Sequence, residues 1–170
     1  LTVDENLFEK QFKAITPESK AFALVPGRVY ILRENVWEGG TVSASDYEGL
    51  RNEIIEKLKS FKDPDSGNSI CKKVLTREEA FSGPYVQSGP DIVIDPHDGY
   101  DFKAALGQDE LFSSSPITGM HTYHDALIYA SGHEFKAKRP KVYDANPTVL
   151  EVLGIDIPSD FDGESIILPS

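Results

Sequence analysis

Apolar residues along the chain follow two rhythms, a helical step of three and four and short runs rich in β-branched residues. Leu7, Phe8, Phe12 and Ile15 fall three to four apart, which predicts a short amphipathic helix ending before Pro17. Ala21-Phe22-Ala23-Leu24 and Arg28-Val29-Tyr30-Ile31-Leu32 predict two short strands around a Pro26-Gly27 turn. The stretch from Val36 to Val42, with Gly39-Gly40, reads as loop. Ser45 and Glu48 have the spacing of a capping box, in which a hydroxyl and a carboxylate satisfy unpaired N–H groups at a helix start. Tyr47, Leu50, Ile54, Leu58 and Phe61 then mark one helix face, and the turn-forming cluster from Asp63 to Asn68 ends it. Ile70 to Leu75 reads as a strand, and Thr76 with Glu79 as a second capping box on a short helix closed by Ser82-Gly83-Pro84.

Two further apolar runs, Ile92-Val93-Ile94 between Pro90 and Pro96, and Ala126 to Ala130, have the composition of strands buried on both sheet faces. The final helix is expected to take Asn146 as N-cap, Pro147 as its first residue and Gly154 as its C-terminal stop. Interleaved strands and helices place the chain in the α/β class, with a mixed, mostly buried sheet and flanking helices. No repeat or low-complexity linker interrupts residues 1–170, so one domain is the expectation.

Composition narrows the possible functions. The 170 residues carry 17 Lys and Arg against 28 Asp and Glu, a net charge of −11. Such a chain lacks the basic footprint that nucleic acid requires, and anionic lipid would repel it. Hydrophobic residues make up 39%, too many for a disordered segment. The apolar runs are a few residues long, so no membrane span is expected, and with no signal segment visible a cytoplasmic location is the default. Cys71 is the only cysteine, which excludes an internal disulfide; on an apolar strand it reads as a packing residue. The only methionine is Met120, so the chain is expected to be a processed product or an excised piece of something longer.

Candidate chemistry concentrates in two places. His121, His124 and His133 fall within thirteen residues, with Asp125 adjoining, and imidazole with carboxylate suits zinc or a similar divalent ion. The same spacing is also that of surface or supporting histidines beside a buried strand. Asp91, Asp95, His97, Asp98 and Asp101 surround the 92–94 strand and offer either Mg²⁺ ligands and acid–base groups or simple turn formers. No GxSxG elbow, P-loop or GxGxxG is present, and no serine or threonine stands in the setting of an activated nucleophile.

The stretch Pro90-Asp91-Ile92-Val93-Ile94-Asp95-Pro96-His97-Asp98-Gly99-Tyr100-Asp101-Phe102-Lys103 resembles the apolar strand and P-x-D-G-Y-D segment of type I phosphodiesterase/nucleotide pyrophosphatase proteins, members of the alkaline phosphatase superfamily. Thr118-Gly119-Met120-His121-Thr122, the 126–130 run and Ser131-Gly132 are similar to that superfamily's last metal-ligand segment. Tyr143 to Leu150, Leu153-Gly154-Ile155 and Asp162-Gly163-Glu164-Ser165 resemble its closing D-x-x-P-T-[VI]-L, L-G-I and D-G-x-S elements. The segments 23–31 and 63–67 are similar to earlier parts of the same proteins, so the resemblance runs over most of the chain.

What the resemblance implies is the C-terminal portion of an alkaline-phosphatase-like α/β/α fold in a metal-dependent phosphoric-ester hydrolase. In that superfamily two divalent ions, usually zinc, flank a Thr or Ser nucleophile that attacks phosphorus. His121 matches the last histidine ligand, whereas His124 and His133 match none. A histidine there favours the phosphatase and phosphodiesterase branches over sulfatases. The family's nucleophile, its Asp-His pair and its second histidine have no counterpart here; His97-Asp98 and His124-Asp125 run in the reverse order. The expectation is therefore a segment with one metal ligand and no catalytic residue, inactive alone. It would act on a phosphate-ester substrate through a site shared with the missing N-terminal part of its own chain. The alternative is a non-catalytic α/β domain that binds a ligand or partner and uses its histidines structurally.

Overall fold

The computed structural model describes residues 15–104, 110–114, 116, 119, 126–136 and 139–168. They fall into two compact units, Leu1–Tyr123 and His124–Ser170. The expected helix over 7–15 lies outside the described residues except for Ile15.

The first unit is a four-stranded sheet in the order β1-β2-β4-β3, with β1 at Ala21–Val25, β2 at Arg28–Ile31, β3 at Cys71–Thr76 and β4 at Ile92–Pro96. Helix α1 covers Ala44–Ser60, and the short α2 covers Arg77–Ala80. The chain is thus α/β, as its interleaved pattern predicts. The sheet, however, is antiparallel at every described pairing rather than mixed. Connection geometry accounts for this. Gly27 turns β1 straight into β2, and the 77–91 connection leaves and re-enters the sheet at one end, where Thr76 pairs with Ile92.

Gly27 has two separate reasons to be glycine. Its φ of +67° lies in the left-handed region, and a Cβ there would sit 2.7 Å from the Ile94 carbonyl oxygen. That close approach lets the Ile94 N–H reach the Gly27 carbonyl at 2.8 Å, tying the hairpin to β4.

The core lies between α1 and one sheet face: Ile55, Cys71, Val74, Ile92 and Ile94, with Val29, Ile54, Leu58 and Phe102 packed around them. Ile92, Ile94 and Pro96 are buried while Val93 and Asp95 are half-buried, so β4 is covered fully on one face and not on both. An unbroken apolar run cannot distinguish these cases, because it satisfies either burial pattern. On β3, Cys71 and Val74 both point inward although three residues apart. A register shift between Cys71 and Lys73 supplies the extra residue, leaving Lys72 and Lys73 exposed on this edge strand. Cys71 is a buried core residue, and burial pushes its thiol up, away from a reactive thiolate.

Helix α1 begins two residues earlier than the Ser45/Glu48 spacing suggests. Ser43 is the N-cap, and its hydroxyl accepts the Asp46 N–H at 3.2 Å. Glu48 is released from capping and pairs with Arg51 at 2.8 Å. The inward face is correspondingly Tyr47, Arg51, Ile54, Ile55 and Leu58, while Phe61 is displaced to an exposed stack on Phe112, ring centroids 5.8 Å apart. The Thr76/Glu79 capping box forms as expected, and α2 ends just before Ser82-Gly83-Pro84.

Two glycines in this unit make opposite predictions. A Cβ on Gly40 would lie 2.2 Å from the Arg33 carbonyl oxygen, backbone that cannot move aside. Gly49 sits exposed in the interior of α1 with nothing within 4 Å of the added carbon. Gly40→Ala should therefore lower stability by about 1–3 kcal/mol, and Gly49→Ala should raise it by about 1 kcal/mol. Urea denaturation of the two variants checks both signs.

The second unit holds helix α3, Ala145–Val152, entered through a 3₁₀ turn at Val142–Asp144. Asp144 is the N-cap in place of the expected Asn146, because the 3₁₀ turn feeds directly into the helix. Its buried carboxylate accepts the N–H of Lys141 at 2.8 Å and of Glu164 at 3.2 Å. Thr148 Oγ1 donates to the Asp144 carbonyl at 2.6 Å and accepts the Ile166 N–H at 3.1 Å. The helix and the Asp162–Ser165 segment are thereby clamped together. Gly163 allows the contact, since a Cβ there would lie 2.2 Å from the Tyr143 carbonyl oxygen. Gly154, at φ +68°, follows the helix as its C-terminal stop.

Residues 126–130 do not form the expected strand; they are irregular, with Leu127 92% and Tyr129 80% exposed. A strand exists only with a neighbour to accept its backbone hydrogen bonds, and none of the described strands pairs with this run. No helix among the described residues is long and apolar enough to cross a membrane.

Candidate functional site

His121, the residue matched to a metal ligand, lies outside the described residues, together with His124 and Asp125. His133 is described: it is half-buried in a turn, its N–H directed at the Ala130 carbonyl at 3.4 Å.

The acidic group around the 92–94 strand is dispersed. Asp91 precedes β4 and is buried, Asp95 stands across from Lys73 in the sheet register, and Asp101 is paired with Lys103 on the surface. Only His97 and Asp98 join a common concavity, beyond the far end of β4. A single strand about 3.3 Å long per residue separates its two ends too widely for one ion to bridge them. Among the described residues, no group of three or more His, Cys, Asp or Glu side chains is placed to hold a metal ion.

That concavity is an open cleft of about 750 Å³ lined by Asp63, Asp65, Asn68, His97, Asp98 and Tyr100, among others. The pairing of Lys62 with Ser69 and the bond from His97 N–H to the Ile70 carbonyl, at 2.9 Å, bring its two turns together. Asp63 is committed to its own turn: Oδ1 accepts the N–H groups of Asp65 at 2.9 Å and Ser66 at 2.7 Å, and Oδ2 accepts the Tyr100 hydroxyl at 3.0 Å. The Ser66 N–H bond leads in holding this carboxyl below its ordinary 3.8, with the Tyr100 hydroxyl contributing less. Asp63 therefore stays ionised as pH falls past 3.8, and its support for the turn disappears as pH drops through the lowered folded value. Tyr100→Phe should move the Asp63 titration upward part of the way, a shift that carboxyl ¹³C NMR would follow.

At the other end of β4 lies a network that no local sequence pattern announces. Asp91 is 1% exposed and Arg77 2%, and the Arg77 Nη2 donates to Asp91 Oδ1. The same oxygen accepts the Tyr47 hydroxyl at 2.8 Å, while Oδ2 accepts the Ile31 N–H at 2.7 Å. Arg33 stands 3.9 Å from the carboxylate. Arg77 also donates through Nε to the Gly89 carbonyl at 2.9 Å, pinning the connection that leads into β4. Arg51 binds Glu48 and Glu78, both at 2.8 Å, and the guanidinium carbons of Arg33 and Arg51 lie 4.8 and 5.1 Å from the Tyr47 ring centre. Burial first, then the hydrogen bond to Asp91, pushes the Tyr47 hydroxyl above its ordinary 10, so it remains a donor. These groups hold one another and join β2, β4, α1 and α2. Among the described residues, the only buried side-chain nitrogens without a hydrogen-bond partner are the Nε atoms of Arg33 and Arg51. Their arrangement is that of a strut, with Asp91 at its centre.

Comparison with known proteins adds no relative: no family model, no curated protein and no solved structure matches the chain.

Proposed function

We propose that the chain is the C-terminal segment of a metal-dependent phosphoric-ester hydrolase of the alkaline phosphatase superfamily, in its phosphodiesterase/nucleotide pyrophosphatase or phosphatase branches. The observation that carries this is the ordered series of resembling segments, above all 90–103, 118–132 and 143–165. In this reading the four-stranded sheet with α1 on one face is part of a larger α/β/α fold. His121 supplies one ligand to a divalent ion, with zinc the first candidate, and an acceptor on its other ring nitrogen fixes the tautomer. When bound, such ions polarise phosphoryl oxygens and lower the pKa of a nucleophile. The nucleophile and remaining ligands belong to an N-terminal part of the same protein, and the 170-residue chain does not turn over substrate by itself.

Bound divalent ions also reconcile a phosphate-ester substrate with a chain of net charge −11, since they offset the like-charge repulsion locally. The test is a panel of phosphomonoesters and phosphodiesters offered to the full-length protein with added Zn²⁺ or Mn²⁺. Hydrolysis of at least one class supports the proposal, and none overturns it. The coding sequence upstream is an independent check. An apolar strand ending in Asp, followed by Thr or Ser at a helix start, agrees with the proposal, and an unrelated sequence does not.

A further inference from the structure

We draw no further inference here: the strongest candidate, the open acidic cleft between the Asp63–Asn68 turn and the His97–Tyr100 turn, is a carboxylate cluster whose hydrogen bonds are internal, with no second observation pointing to a ligand.

Discussion

Replacing His121 by alanine in the full-length protein is expected to lower phosphodiesterase activity by more than about 100-fold while leaving the far-ultraviolet circular dichroism unchanged. The magnitude follows from the role. Groups that merely orient a metal-bound histidine typically cost roughly 10–100-fold in affinity or activity when lost, and a direct ligand must exceed that. A weakened site also predicts its own rescue, because raising free Zn²⁺ refills a site whose affinity has dropped. Partial recovery with added metal distinguishes a lost ligand from a damaged fold, which metal would not repair. Full activity of His121→Ala against a nitrophenyl phosphodiester would remove His121 from the metal site.

The largest effect on stability is expected at Asp91. Alanine there strands the Arg77 guanidinium in a site 2% exposed and removes the acceptor for the Ile31 N–H and the Tyr47 hydroxyl. Removing one partner of a buried ion pair typically costs about 3–5 kcal/mol, mostly because the surviving charge is left uncompensated. Asp91→Ala should fall in that range by urea denaturation. Arg77→Ala should cost nearly as much, and the double variant clearly less than the sum, since both changes break one pair. A loss below about 1 kcal/mol for Asp91→Ala would show that the strut is not what joins β2, β4, α1 and α2.

The features that are legible in the sequence are those with local causes. The Pro26-Gly27 hairpin, the Thr76/Glu79 box and the Gly154 stop each need only a few neighbouring residues, and each forms where its pattern stands. The start of α1 is legible only to within two residues, because Ser43 and Ser45 offer the same hydroxyl and backbone geometry selects between them. The run 126–130 shows the limit of composition: β-branched and aromatic residues favour a strand, but pairing decides it. Sheet direction was illegible for the same reason, since Ile92-Val93-Ile94 reads alike in parallel and antiparallel surroundings. Asp91 looks like one more turn aspartate in the sequence. Its partners Ile31, Tyr47 and Arg77 lie 60, 44 and 14 residues away, and only the folded sheet assembles them. The cleft formed by Asp63 and Tyr100 has the same origin, two turns 37 residues apart joined at the sheet end.

The most direct test of the phosphoester-hydrolase proposal is turnover of a nitrophenyl phosphodiester by the full-length protein, stripped of metal by a chelator and then resupplied with Zn²⁺ or Mn²⁺. The prediction is that hydrolysis disappears on stripping, returns with the metal, and returns only weakly in His121→Ala. Hydrolysis that persists in the stripped protein would contradict the proposal, as would a metal-loaded protein that cleaves no phosphate ester.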